Sequence, residues 1–88
     1  MTVPSTYTEQ TLTSWLVDRV AEYLRRPPTE IDPAVPLAEY GLDSVAALSL
    51  CGDVEDAFEV LIEPTAAWDY PTIRSLAGHL LGRLEART

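Results

Sequence analysis

Apolar residues recur at spacings of three and four in three stretches of the chain, a pattern that predicts three amphipathic helices. The helices are expected from just after Thr6 to about Arg25, from about Ser44 to Phe58, and from near Thr72 onward. The predicted core positions are Leu12, Trp15, Leu16, Val20, Tyr23 and Leu24, then Ala47, Leu50, Val54, Ala57 and Phe58, then Ile73, Leu76, Ala77, Leu80, Leu81 and Leu84. The pattern therefore predicts an all-α fold.

Capping and breaking residues refine the ends of these helices. Thr6 and Glu9 have the spacing of a capping box, so Thr6 is the predicted N-cap of the first helix. Prolines at 27 and 28 end that helix. Residues 64–69 allow one further short helical turn, in which we expect Trp68 to fill the core rather than to contact a ligand.

Residues 27–43 form a long connection with four prolines. Connections longer than about 12–15 residues are uncommon in compact domains and are often functional. Four apolar side chains are expected to anchor this one in the core: Ile31, Val35, Leu37 and Leu42.

Length and composition bound the function. The 88 residues make one domain, 1–88, with an ordered core expected at about 8–84. The net charge of −8 argues against nucleic acid as a partner and favours basic protein surfaces. No apolar run approaches the roughly 20 residues of a membrane span. With no visible signal peptide and a single cysteine, we expect a cytoplasmic protein, monomeric by default for a small charged bundle.

Catalytic motifs are missing from the sequence. The spacing Gly41-x-x-Ser44 differs from the G-x-S-x-G elbow of serine hydrolases. His79 is the only histidine and Cys51 the only cysteine, so clustered metal ligands are lacking. Cys51 is interpreted as a small core residue and His79 as structural or exposed. The chain is therefore expected not to be an enzyme by itself and to bind no metal.

The turn into the second helix is the strongest candidate site. Gly41 permits positive φ, and both Asp43 and Ser44 are favoured N-cap residues. A helix start carries partial positive charge and suits a phosphate group. From residue types alone, Ser44 is either the bearer of an anionic group or an ordinary cap.

A wider motif bears on that choice. The motif comprises Gly41-Leu42-Asp43-Ser44, then Val45, Leu48 and Leu50, then residues 52–58, Pro64-Thr65 and Trp68-Asp69-Tyr70-Pro71-Thr72-Ile73. It resembles the acyl carrier proteins over about residues 8–83. The resemblance implies a four-helix bundle of three main helices and one short one, with a long loop between helices 1 and 2. It also implies a 4′-phosphopantetheine arm, taken from coenzyme A, on Ser44, with Asp43 supporting it.

The resemblance assigns partner recognition to the outer face of helix 2. The predicted partner face consists of Val45, Leu48, Gly52, Glu55 and Asp56. Many carriers have acids at positions 46 and 49, where this chain has alanine and serine. We therefore expect a less electrostatic partner contact than in bacterial fatty-acid carriers.

The sequence also indicates a pathway type. Asp43 before the serine favours acyl carriers over peptidyl carriers, which often have histidine there. The tail from Pro64 to Ile73 resembles polyketide-synthase carriers, and residues 44–55 together with residues 68–73 resemble carriers fed by fatty acyl-AMP ligases. The implied partners are a phosphopantetheinyl transferase, an acyl-loading ligase or acyltransferase, and a ketosynthase. The alternatives are a peptidyl or aryl carrier of a nonribosomal peptide pathway, and an unmodified helical interaction module in which Ser44 is only a cap.

Overall fold

The structure, a computed structural model, describes residues 7–87 and contains four helices in that range. They are α1 (Glu9–Leu24), α2 (Ser44–Phe58), the short α3 (Ala66–Asp69) and α4 (Ile73–Arg87). This order confirms the predicted all-α bundle of three main helices and one short one. Helix α4 continues three residues beyond Leu84.

The start of α1 differs from the predicted capping box. Thr8 is the N-cap, and its hydroxyl accepts from the Thr11 amide at 3.1 Å. The Thr8 amide in turn donates to the Thr11 hydroxyl at 2.9 Å. The N-cap is therefore Thr8 and not the predicted Thr6, which lies outside the described residues, and a threonine at the third helical position takes the role expected of glutamate.

The core is formed by one face each of α1, α2 and α4. Its largest fully buried side chains are Leu12, Leu16 and Val20 of α1, Leu50 and Val54 of α2, and Ile73, Leu76 and Leu80 of α4. Along α2 the buried stripe follows spacings of four towards Phe58, so Ala57 lies beside it and is exposed. The prediction that Ala57 is a core residue is therefore wrong, whereas Cys51 is buried as expected.

The long connection is held to the rest of the bundle and contains two 3₁₀ turns, Pro28–Glu30 and Leu37–Tyr40. Its anchors Ile31, Leu37 and Leu42 are buried, whereas Val35 is only partly buried and is a weaker anchor than expected. The Leu37 amide donates to the Pro71 carbonyl at 2.8 Å, and the Arg74 amide donates to the Pro33 carbonyl at 3.0 Å. These bonds tie the loop to the start of α4 and fix the point from which the chain enters α2.

Helix α3 lies against α2 through small residues. Ala66 and Ala67 are buried, and the Cys51 sulfur of α2 donates a long hydrogen bond, 4.0 Å, to the Glu63 carbonyl shortly before α3. Trp68 is 53% exposed, so the prediction that it fills the core is wrong. A helix of four residues turns only one narrow side inward, and the two alanines occupy it.

Candidate functional site

The backbone before α2 turns sharply and places two residues at the surface. Gly41 has φ +82°, and its amide donates to the Ala38 carbonyl at 3.1 Å to end the 3₁₀ turn. A Cβ added there would meet nothing within 4 Å, so the backbone conformation, and not space, favours glycine. Leu42 is then buried, which leaves Asp43 and Ser44 pointing away from the core.

Asp43 is the N-cap of α2. Its backbone is extended, and its Oδ1 accepts from the Ala46 amide at 2.8 Å. Its carbonyl accepts from the Ala47 amide at 2.9 Å. Ser44 is therefore the first residue of the helix and not its cap. The sequence allowed either assignment, because aspartate and serine cap about equally well.

Ser44 is exposed, and no group among the described residues hydrogen-bonds its hydroxyl. The first turn of a helix has amide groups without intrahelical partners and a partial positive charge, which stabilises a nearby phosphate. A free hydroxyl at such a place fits a serine that carries a phosphodiester.

The α2 surface next to Ser44 is apolar. Val45 is 70% exposed and Leu48, one turn further along, is 54% exposed. Gly52 is half-buried on the same helix. Two of the predicted partner-face residues thus flank Ser44 with unburied aliphatic side chains.

Asp53 of α2 is engaged with α1. Its Oδ2 lies 3.0 Å from the Arg19 guanidinium and accepts a hydrogen bond from the Tyr23 hydroxyl. Burial raises the pKa of Asp53, but the hydrogen bonds from Tyr23 and Arg19, with the Arg19 charge, outweigh it and hold the pKa below its usual range. This acid joins two helices and is not presented to a partner.

The two predicted partner-face acids are used differently. The Glu55 carboxylate turns towards the α2–α3 connection, where Oε2 accepts from the Ile62 amide at 3.4 Å. Asp56 is exposed on the helix. Glu55 and Asp56 are adjacent in the sequence, but in the structure they do not form a pair of exposed, unbonded carboxylates. The sequence alone did not reveal this difference.

Cys51 and His79 are poor candidates for chemistry. Burial, aided by the charge of Glu55, raises the pKa of the Cys51 thiol, which disfavours the reactive thiolate. His79 stacks on Tyr70 with 4.2 Å between ring centroids, in a cleft of about 180 Å³ beside Arg83. Within residues 7–87 no cluster of three or more His, Cys, Asp or Glu side chains has a metal-binding arrangement. In the same range no helix is long and apolar enough to cross a membrane.

The start of α2 lies within the match of a family profile. The profile described as "Phosphopantetheine attachment site" matches residues 14–80, which is most of the chain and includes the start of α2. The chain belongs to this family. The prosthetic group of the family is 4′-phosphopantetheine, and carrier domains of this kind are non-catalytic.

Two curated relatives are similar to the chain over most of its length. The carrier domain is 33% identical over 72 residues to a phenolphthiocerol/phthiocerol polyketide synthase of Mycobacterium tuberculosis, covering 82% of this chain and 4% of that protein. It is 35% identical over 78 residues to the 6-methylsalicylic acid synthase of Aspergillus niger, covering 89% of this chain and again 4% of the relative. The domain thus spans a small fraction of the length of these curated relatives.

Solved structures show the same fold. A free-standing peptidyl carrier protein from Acinetobacter baumannii is 42% identical, with a TM-score of 0.84 and coverage of 86% of this chain and 95% of that one. The acyl carrier protein LipD from Actinoplanes friuliensis is also 42% identical, with a TM-score of 0.74 and coverage of 98% and 97%. The carrier domain therefore belongs with carriers of the polyketide and nonribosomal peptide type.

Proposed function

We propose that the chain is an acyl carrier whose 4′-phosphopantetheine arm is attached to Ser44. The observation that carries the proposal is the state of the Ser44 hydroxyl. It is exposed at the first residue of α2, and Asp43 performs the capping that would otherwise occupy it. An external enzyme can reach this oxygen without disturbing the helix.

The attachment is a phosphoryl-group transfer that a separate transferase performs. The Ser44 oxygen replaces adenosine 3′,5′-bisphosphate at the β-phosphorus of coenzyme A, and the serine proton passes to a base of the transferase. The helix start then stabilises the phosphodiester charge through its unpaired amides. When bound, the arm supplies a terminal thiol that holds the acyl group as a thioester. The protein contributes the tether, which keeps the cargo at high effective concentration near partner enzymes.

The partner face is proposed on the outer side of α2. Val45 and Leu48 flank Ser44, Gly52 leaves room for close approach, and Glu55 and Asp56 form the distal end. The enzymes that would use this face are the transferase, an acyl-loading enzyme and a ketosynthase. We further propose a single cytoplasmic domain, 1–88, that acts as a monomer.

The cargo is proposed to be an acyl chain of a polyketide or related lipid pathway. One peptidyl carrier and one acyl carrier of known structure are each 42% identical to this chain, so overall identity does not choose between the two types. The aspartate before the serine and the polyketide-synthase relatives favour an acyl cargo.

Loading by a fatty acyl-AMP ligase follows from the resemblance of residues 44–55 to carriers fed by such ligases. The check is to offer the arm-bearing form to such a ligase with ATP and a fatty acid, and to a polyketide acyltransferase or an amino-acid adenylating domain in parallel. Acylation by one of the latter two alone would contradict this loading route.

An unmodified interaction module is not favoured. That alternative assigned Ser44 the role of a helix cap, and Asp43 holds that role in the structure. It would also leave an exposed hydroxyl at a phosphate-compatible helix start without a use.

The test is the intact mass of the protein after incubation with coenzyme A and a broad-specificity phosphopantetheinyl transferase. We expect a gain of one phosphopantetheine in the wild type and none in Ser44→Ala. Ser49→Ala is the matched control, because Ser49 is an exposed serine of the same helix. A wild-type protein that is folded by circular dichroism yet gains no mass would contradict the proposal.

A further inference from the structure

Ser44 lies in a long stretch of the chain that has no positively charged side chain. Every charged residue from 27 to 73 is an aspartate or a glutamate, and this stretch also lacks histidine. The arginines on either side of it belong to other elements, since Arg26 follows the end of α1 and Arg74 lies in the first turn of α4. Within its own loop and helix, a phosphodiester on Ser44 is therefore attracted only by the backbone amides and the dipole of α2.

Asp43 already occupies part of that helix start. Its Oδ1 accepts from the Ala46 amide at 2.8 Å, and its carbonyl accepts from the Ala47 amide at 2.9 Å. The amides of Ser44 and Val45, the first two of the helix, have no intrahelical partner. These two amides are the donors that α2 can offer to a phosphodiester, and the carboxylate bonded beside them carries the same sign of charge as that group.

Glu39 is the other acid close to this turn in the sequence. It is exposed in the 3₁₀ turn Leu37–Tyr40, four residues before Asp43. Asp43 is exposed as well, but it adjoins Ser44 and its carboxylate is fixed by the bond to the Ala46 amide. Charge interactions in water weaken with distance and with salt. The Asp43 carboxylate is therefore expected to have the larger effect on a negative group carried by Ser44.

We propose that Asp43 is a positioning residue for the arm, because its charge opposes the attraction of the helix start for the phosphodiester. The phosphodiester is then not bound to the α2 amides, and the arm stays free to turn about Ser44. The proposal rests on the proposed function, since it concerns the group that Ser44 carries. The attraction of a helix dipole for an anion and the repulsion of two neighbouring unit charges in water are of similar size. A tethered cargo reaches several enzymes only when its tether is not held in one place.

The first test compares the thermal unfolding of apo and arm-bearing protein for wild type and for Asp43→Asn. The arm is loaded with coenzyme A and a broad-specificity transferase, and intact mass verifies the loading. Asparagine keeps a capping oxygen and removes the charge. We expect the arm to change the Tm of wild type by less than about 1 °C and to raise the Tm of Asp43→Asn by about 2–5 °C, because the helix start then binds the phosphodiester unopposed. Each apo form is the reference for its own loaded form, so the cost of the altered cap cancels.

The matched control is Asp56→Asn, which removes the same charge from the same helix about 18 Å from Ser44 along the axis. Asp56 is exposed, and the arm should change the Tm of this variant as little as that of wild type. Glu39→Gln should give a smaller arm-dependent rise than Asp43→Asn. Raising NaCl from about 0.05 to about 0.5 M shortens the range of charge interactions about threefold, and it should remove most of the rise seen in Asp43→Asn.

The second test follows the amide protons of Ser44 and Val45 by NMR in the apo and loaded forms. Loading should move both protons further downfield in Asp43→Asn than in wild type, since they donate to the phosphodiester only in the variant. An arm-dependent change in Tm that is equal in wild type and Asp43→Asn, or equal in Asp56→Asn and Asp43→Asn, would overturn the proposal while the arm is still attached. Absence of the mass gain in wild type would overturn the proposed function and this proposal together.

Discussion

The starts of α2 and α4 are both capped by a side-chain oxygen, but they use their hydroxyl groups in opposite ways. Before α4, the Thr72 hydroxyl accepts from the Ser75 amide at 3.0 Å, and the Ser75 hydroxyl accepts from the Thr72 amide at 3.1 Å. Before α2, the Asp43 carboxylate does the capping alone and the Ser44 hydroxyl has no such bond. The difference shows that the capping side chain of a helix and an unbonded hydroxyl at its start can lie one residue apart.

The start of α1 strengthens the comparison, because Thr8 and Thr11 form the same reciprocal pair as Thr72 and Ser75. Two of the three main helices therefore consume their hydroxyls in caps. At α2 the Asp43 carboxylate forms the cap, and the Ser44 hydroxyl makes no bond within the described residues. We therefore expect substitutions of Asp43 to affect the stability of the protein, and substitutions of Ser44 to affect arm transfer.

Asp53, the α2 acid that bonds to two side chains of α1, gives one of the two largest losses of stability that we expect. Asp53→Ala removes the partner of both Arg19 and Tyr23, and should lower the free energy of unfolding by about 1–2 kcal/mol after allowance for screening by water. Urea unfolding monitored by circular dichroism measures it. Arm transfer should be retained, since Asp53 faces α1. Loss of transfer in a folded variant would contradict a purely structural role for Asp53.

The same acid gives the stability a dependence on pH. The pKa of Asp53 is lower in the folded protein than its ordinary value, so its stabilisation is present above the unfolded pKa of about 3.9 and is lost as pH falls through the folded pKa. The stability difference between wild type and Asp53→Asn should therefore stay constant between about pH 8 and pH 5 and shrink below about pH 4. A difference that grows on acidification would have the wrong sign.

Thr72→Ala tests the hydroxyl-based cap. It removes one half of the reciprocal pair with Ser75, and we expect a loss of about 1–2 kcal/mol because the site is partly buried. Thermal or urea unfolding measures the effect. Equal stability of the variant and the wild type would show that the pair does not hold α4.

Asp43→Ala tests the carboxylate cap. The expected loss is about 1 kcal/mol, and Asp43→Asn, which retains a capping oxygen, should lose only a few tenths. Both variants should still accept the arm, because Ser44 is unchanged. If the alanine variant were as stable as wild type, the capping role of Asp43 would have to be abandoned.

Ser44→Ala has the smallest expected effect on stability. The exposed hydroxyl makes no bond within the described residues, so the free energy of unfolding should stay within about 0.5 kcal/mol of wild type. A loss as large as that of Asp43→Ala would mean that the serine, and not the aspartate, supports the helix.

Periodicity predicted much of this fold, and the exceptions have physical causes. The spacing of apolar residues indicated the helices and most of their buried faces. It could not decide Trp68, because a one-turn helix has too few residues to define a face and two small alanines occupy the side that packs against α2. It also misplaced Ala57, which lies just beside a stripe that ends at Phe58.

The sequence predicted where the site lies, but not which of Asp43 and Ser44 caps the helix. The motif around Ser44 located the helix start. Asp43 and Ser44 cap about equally well, so only coordinates could assign the cap to Asp43. Glu55 looked like a partner-facing acid by helical register, yet its reach to the Ile62 amide depends on how the α2–α3 connection folds back.

The most direct measurement compares Asp43→Ala with Ser44→Ala in both properties at once: the free energy of unfolding, and the mass gained with coenzyme A and a phosphopantetheinyl transferase. We predict a crossed result, in which Asp43→Ala is less stable but still gains the arm, and Ser44→Ala is as stable as wild type but gains nothing. Arm transfer to Ser44→Ala would contradict the account directly. A large destabilisation of that variant would contradict the separation of the cap from the attachment oxygen.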